Sequence, residues 1–463
     1  MSPNALKKAL QNLLVAPHEL LGDADAQALF IDQRRRYHSQ NAIALMPDSV
    51  AGVQKIMRFC HENHISVTPQ GGNTGLVGGS VAQGGVLLNL SRLNQIRRIN
   101  LPDNAITVEA GCVLAQVQNA AAEAGRLFPL SLASEGSCQI GGNIACNAGG
   151  LNVLRYGTMR DLVLGLEVVL ADGTLVSHLE PLHKNTTGYE IKHLFIGSEG
   201  TLGVITAATL KLFPQLRSIA TAWVGVENIN QAIALLISVR NAFAERLISC
   251  ELVSHFALDL SSRFSQISQP IDAEWHILIE LSDSLPDIPL DEYLGEHLYH
   301  HGFHHTVLAQ SEQQRQDLWT LRENISAAQR GLGVSIKHDI AIPIERVTEF
   351  IQQCGQALNT AFPQIQIVVF GHLGDGSLHY NTFLSNVLDN RAYESENAVN
   401  QIVYQYVLAC GGTIAAEHGI GSLKAHHLNS VRLPAEVALM RAIKAQLDPH
   451  SILNPNVLLP KEN

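Results

Sequence analysis

Val67-Thr-Pro-Gln-Gly-Gly-Asn-Thr-Gly-Leu-Val-Gly-Gly79 is the stretch on which the fold turns. Before it, Val50 to Cys60 has the periodicity of a helix, and Ile65 to Thr68 reads as a short strand. A run of small residues with free N–H groups lets the backbone close on a diphosphate, because only glycine permits that approach. The G-x-G-x-x-G spacing is absent, and so is a loop ending in Gly-Lys-Ser/Thr, which excludes the two commonest nucleotide fingerprints. Two more stretches of the same kind follow: Glu135-Gly-Ser-Cys-Gln-Ile-Gly-Gly-Asn-Ile-Ala-Cys-Asn-Ala-Gly-Gly150 and Gly197-Ser-Glu-Gly-Thr-Leu-Gly-Val-Ile-Thr206. Between them, Val163 to Leu170 and the turn Asp172-Gly173 predict a hairpin. One such loop is an ordinary surface feature. Three, joined by short strands, point to one long ligand lying against backbone, and a dinucleotide suits that better than a small metabolite.

Composition sets the outer limits. A chain of 463 residues is too long for one hydrophobic core, so two or three domains are expected. With 46% apolar and 16% charged residues it reads as globular, and a net charge of −11 argues against nucleic acid. No apolar run reaches the length of a membrane span; Leu162 to Leu170 is broken by Gly165 and Glu167. Lys7-Lys8 is followed by Gln11 and Asn12, which interrupt any signal-peptide core. Seven cysteines without C-x-x-C spacing suit a reducing compartment. The expectation is a cytoplasmic protein, with a homodimer as the default assembly.

A second kind of signal lies in Gly371-His-Leu-Gly-Asp-Gly-Ser-Leu-His-Tyr-Asn381, entered from the strand-like run Ile365 to Phe370. Asp375-Gly376 predicts a two-residue hairpin turn, which would set His372 directly opposite His379, with Asn381 on the same side. Thr413-Ile-Ala-Ala-Glu-His418, between Gly411-Gly412 and Gly419-Ile-Gly421, reads as an apolar strand ending in a carboxylate and an imidazole. Two His and one Glu form the open donor set of a catalytic divalent metal, with Zn²⁺ first and Mn²⁺ or Co²⁺ also accommodated. On that assignment His372, His379 and Glu417 are the ligands, and His418 is left for proton transfer. The other clusters, His300 to His305, His426-His427 and His61/His64, read as surface.

Beyond about Arg217 glycine becomes rare and helical patterning takes over, as in Asn230 to Val239. Leu318 to Ser326 predicts one helix with Arg322 and Ser326 on a shared face, and Val334 to Ile342 predicts one strand carrying Lys337. A guanidinium fork and an ammonium suit a carboxylate.

Taken together, these motifs resemble the vanillyl-alcohol-oxidase-type flavoproteins, and within them the FAD-linked D-2-hydroxy-acid dehydrogenases. The likeness runs from about Arg36 to Leu459. The resemblance implies an α+β chain: a two-subdomain FAD-binding domain over 1–217, and a substrate or cap domain with an antiparallel sheet and the metal site over 218–415. It implies in addition a segment, 416–463, that returns to the flavin through Ile452-Leu-Asn-Pro455. Noncovalent FAD is expected, held by Pro69, Gly71, Gly72, Asn73, Thr74, Gly75 and Leu76, by Gly136, Ser137, Gly141, Gly142 and Asn143, and by Ile205 and Asn454. Arg322, Ser326, Lys337, Asn381 and His418 fall on the family's substrate positions. The implied reaction oxidises a D-2-hydroxy acid to the 2-oxo acid by hydride transfer to the flavin, with His418 as base. The cation pair Arg322 and Lys337 favours a dicarboxylate, D-2-hydroxyglutarate or D-malate, over D-lactate or glycolate. Electrons would pass to an electron-transferring flavoprotein or a quinone-linked carrier. Two readings of other classes stand beside it: a non-redox FAD transferase, and a silent flavin-binding partner subunit.

Overall fold

The structure is a computed structural model that describes residues 3–13, 19–385, 387 and 389–459. It divides into two compact units. One comprises the chain up to Gly150, Gly157–Gln215 and the chain from Glu417 on; the other comprises Leu151–Tyr156 and Leu216–Ala416.

The first unit holds a parallel three-stranded sheet in the order Gln40–Leu45, Gln83–Asn89, Val67–Gln70. The helix Val50–Glu62 joins two of these strands. Ser49 starts it by accepting the Gly52 N–H on its hydroxyl at 3.2 Å, and Val53, Ile56, Met57 and Cys60 form its buried stripe. The outer side of Val67–Gln70 is closed by a far part of the chain. Val67 N–H donates to Ile452 O at 2.8 Å, Asn454 N–H donates to Val67 O at 2.8 Å, and Val67 and Leu453 form a parallel bridge. A five-stranded antiparallel sheet follows, in the order Ile96–Asn100, Ala105–Glu109, Val204–Lys211, Val163–Val169, Leu175–His178. The expected hairpin is its last pair, turning at Gly173 with φ +83°.

The second unit is built on an eight-stranded antiparallel sheet. Its central order is Ser218–Val226, Trp275–Asp283, Leu247–Ser254, Ile365–His372, Ser377–Leu384. One face carries Trp223, Leu278, Val253, Val368, Phe370 and Phe383, which pack against Ala257, Leu258, Leu318, Leu321 and Ile325 of the helices on that side. The opposite face receives Val347–Ala361, whose Phe350 ring meets Tyr380 with centroids 5.1 Å apart. None of the described helices is long and apolar enough to cross a membrane.

Three local expectations need correction. The Val334 to Ile342 strand is two short strands, Ser335–Ile336 and Asp339–Ala341, both paired with Ser377–Leu384. The break falls at Lys337-His338, because the His338 ring turns inward to Tyr380 O (2.8 Å) and Asn400 Oδ1 (2.9 Å). Thr413 to His418 is not a strand: only Thr413 bridges, to Ala341, because beyond it the Ala415 N–H turns to the Thr413 hydroxyl (3.5 Å) and the next bond to that short strand, Ala416 N–H to Asp339 O, falls one residue out of register. Finally, Arg322 and Ser326 do not lie on one helix. The helix Glu312–Glu323 ends at Asn324, leaving Arg322 buried and Ser326 exposed on the short helix Ile325–Ala328.

Candidate functional site

In the first unit the three glycine-rich stretches meet. A Cβ on Gly72 would fall 2.0 Å from Ser137 O, so the first and second stretches touch backbone to backbone there. Gly75, Gly136 and Gly142 differ from it. Their φ angles are not positive, and a Cβ at any of them would meet nothing within 4 Å. Neither conformation nor protein contact requires glycine at these three positions, whereas the close approach of a ligand to backbone would.

The other residues expected at the cofactor lie in and around these stretches. Asn73, at φ +53°, donates through Nδ2 to Ile31 O (2.7 Å) and accepts from the Ser80 hydroxyl (2.9 Å). Pro69 belongs to the strand Val67–Gln70, and Ile205 is buried in Val204–Lys211. Thr74 and Leu76 are half-buried, and Ser137 Oγ donates to Ser134 O at 3.3 Å. Gly141, Gly142 and Asn143 lie on the short helix Ile140–Ala145, where Gly141 is packed against Ala110 and the Asn143 amide reaches Cys138 Sγ at 3.6 Å. Asn454 ties the returning segment to the other two, donating through Nδ2 to Gly79 O (2.8 Å) and Glu199 O (2.7 Å). Glu199, not anticipated from sequence, accepts the Ile420 and Gly421 N–H groups at 2.8 and 2.7 Å. Burial raises its carboxyl above the usual range, against these two hydrogen bonds.

The second unit carries His372 and His379. Its hairpin turns through the four residues Leu373 to Gly376, not two, so His372 pairs with Ser377, and His379 with Phe370. The cause is local. Asp375 accepts the Ser377 N–H on its own carboxylate (2.9 Å), and only Gly376 takes positive φ, at +80°; a type I′ turn needs it at both central residues. His372 and His379 are therefore diagonal neighbours on one face, with ring centroids 5.9 Å apart and planes at 73°. Asn381 shares that face and donates through Nδ2 to Gln329 Oε1 at 3.0 Å.

Beneath the pair lies Glu251, which the sequence reading did not single out. It is 1% exposed and sits across the sheet from His372. His372 Nδ1 lies 2.9 Å from each of its carboxylate oxygens. The Ser249 hydroxyl donates to Oε1 at 2.7 Å, and Arg322 approaches Oε2 through Nε (2.9 Å) and Nη2 (2.7 Å). Burial pushes the Glu251 carboxyl up, but the His372 and Arg322 charges outweigh it and hold the group near about 2. Arg322 also lies over the Phe370 ring, 5.0 Å from its centroid. One acid in the apolar run Leu247 to Val253, on the same strand face as Ser249, was the available signal.

Beside His372, Ser377 is 6% exposed, and its hydroxyl has no hydrogen-bond partner among the described residues. Asp339, directly opposite His379, accepts the Ala416 N–H on its carbonyl at 3.3 Å. Ala416 is the last residue of this unit, and Glu417 and His418 follow it by peptide bonds. Lys337 is half-buried between the two short strands.

Comparison with known proteins gives these arrangements a context. The chain matches a model described as FAD linked oxidases, C-terminal domain, over residues 215–458, and one described as FAD binding domain over 42–178. It is 35% identical over 439 residues to the probable mitochondrial D-2-hydroxyglutarate dehydrogenase of Oryza sativa subsp. japonica, covering 93% of this chain and 77% of that protein. It is also 35% identical over 452 residues to a D-2-hydroxyglutarate dehydrogenase of Stutzerimonas stutzeri, covering 96% of each. Among solved structures, p-cresol methylhydroxylase with substrate bound superposes with a TM-score of 0.77 at 16% identity, covering 99% of this chain and 97% of that one.

Proposed function

The chain belongs to the FAD-linked oxidase family, and from that premise we propose that its substrate is the dicarboxylate D-2-hydroxyglutarate and that a divalent metal ion assists its oxidation. It is an FAD-linked D-2-hydroxy-acid dehydrogenase. The observation that carries the metal reading is the His372–His379 pair, one ring of which is held at Nδ1 by a buried carboxylate. An imidazole held at Nδ1 by an acid presents Nε2 as a ligand atom, which is how metal-binding histidines are commonly oriented.

His372, His379 and Glu417 make a fitting donor set for such an ion. Chain continuity supports Glu417 as the third member, since the residue before it is hydrogen-bonded to Asp339, opposite His379. The orphaned Ser377 hydroxyl on the same face is what a site completed by an ion or substrate would leave in its absence. When bound, the ion supplies Lewis acidity to the substrate hydroxyl. When bound, FAD supplies the hydride acceptor, and the open glycines Gly75, Gly136 and Gly142 fit its close approach.

The remaining roles belong to side chains of this chain. His418 takes the hydroxyl proton on a ring nitrogen as the substrate Cα gives up hydride. Asn381 donates an amide hydrogen bond to a substrate carboxylate. Arg322, ion-paired with Glu251 and hydrogen-bonded to it through Nε, offers its remaining guanidinium donors to a distal carboxylate, and Lys337 adds a second positive charge. Ser326, which is exposed, contributes a hydroxyl.

Anaerobic bleaching of the bound flavin tests the reading, with D-2-hydroxyglutarate, D-malate, D-lactate and glycolate offered before and after chelation. Bleaching by the dicarboxylates that chelation abolishes is the expected result. Bleaching by D-lactate alone would remove the dicarboxylate assignment, and chelator-insensitive bleaching would remove the metal.

A further inference from the structure

Glu251 has more partners than a structural ion pair needs. One oxygen receives the Ser249 hydroxyl, the other receives the Arg322 guanidinium, and the His372 Nδ1–H lies 2.9 Å from both. All four groups sit on one face of the sheet or over it, and Arg322 is itself 4% exposed. Each oxygen already takes a donor, Ser249 or Arg322, and both lie 2.9 Å from Nδ1, so the carboxylate stands as an acceptor toward the ring. His372 then directs its Nδ1 N–H at Glu251. The ring cannot flip without turning a C–H toward the carboxylate, so Nε2 has one direction to face.

The backbone fixes the other end of the arrangement. Glu251 pairs with His372 across the sheet, the Gly374 N–H donates to Cys250 O at 3.1 Å, and Arg240 Nη2 donates to Gly374 O at 2.5 Å. The hairpin loop that follows His372 is therefore tied to the strand that carries Glu251. Neither the ring nor its backbone can drift independently of the acid.

We infer that Glu251 is the positioning residue of the cation site: through His372 Nδ1 it sets which ring nitrogen is offered and where, and Arg322 and Ser249 hold it in place. The inference rests on the metal reading above. Its magnitude follows from other metal sites, where loss of a carboxylate behind a ligating histidine weakens binding by roughly 10- to 100-fold.

The test uses the full-length flavin-loaded protein, stripped of metal by dialysis against chelator. The Co²⁺ dissociation constant is measured by equilibrium dialysis for the wild type, Glu251→Gln and Ser249→Ala, with flavin content and thermal midpoint recorded for each. Glu251→Gln is expected to bind Co²⁺ at least ~10-fold more weakly. Raising free Co²⁺ is expected to restore its turnover, a rescue that a merely structural defect would not allow. Ser249→Ala leaves the ion pair intact and is expected to weaken Co²⁺ by a few-fold; it decides the matter if Glu251→Gln fails to fold. A wild type that binds no Co²⁺ would overturn the metal reading and this inference together. A wild type that binds, with folded variants that bind equally well, would overturn the positioning role alone.

Discussion

His276 is fully buried in the sheet of the second unit, and the indole N–H of Trp223 donates to its Nδ1 at 3.2 Å. Protonation would place a hydrogen on the nitrogen that is already accepting one. Burial pushes the ring's pKa down and the neighbouring His255 imidazole adds to that, while the Ala273 backbone and then Asp272 pull the other way, leaving it at about 4. The unfolded chain takes up this proton near the ordinary histidine value of about 6.5. Between those two values the unfolded state binds more protons than the folded one, so stability falls as pH drops from about 6.5 toward about 4 and changes no further below that. At about 1.4 kcal/mol per unit, the loss between pH 7 and pH 5 is about 2 kcal/mol. His276→Gln, whose amide oxygen can still accept from Trp223, should lose that part of the slope. Urea unfolding followed by tryptophan emission at both pH values, in both proteins, isolates it from the other histidines, because only the difference between proteins is read. Equal pH slopes in wild type and variant would refute the assignment.

Gly72→Ala drives a Cβ to 2.0 Å from Ser137 O; flavin content of the purified protein should fall sharply, while the second unit's near-ultraviolet signature persists. Gly376→Ala sets a side chain at φ +80° and 2.2 Å from Ile342 O, so the hairpin must shift, and Co²⁺ binding by dialysis should weaken by an order of magnitude or more while flavin is retained. Lys444 donates to Asp448, Thr201 O and Leu453 O, at 2.5, 2.7 and 2.8 Å. Lys444→Met would leave the fully buried Asp448 carboxylate without its cation, and urea denaturation of the first unit should show a loss of about 3–5 kcal/mol.

Much of this was legible in the chain before any coordinates. Glycine clusters, apolar runs and Asp-Gly turns are local signals, and the hairpins at Gly173 and Gly376 lie where those signals put them. Register was not legible, because it hung on whether Asp375 took positive φ or folded its carboxylate back onto Ser377. The helix through Arg322 was overread because the pattern gives no sign of a stop at Asn324, where the chain passes from one helix to a second short one. Glu251 showed only as one acid in an apolar run. Arg322 and His372, the partners that explain it, lie 71 and 121 residues away, and no local pattern reports a pairing at that distance.

The strand that leads into the first glycine loop has its outer edge covered by Ile452 to Asn454. Those residues are made long after Val67. At roughly 5–20 residues per second, about 20–80 s separates the synthesis of the strand from that of its cover. During that interval the strand presents open backbone groups beside a loop that has nothing yet to hold, a state prone to pairing with other chains. The strand beside the first glycine loop is thus completed only once Leu453 has been made.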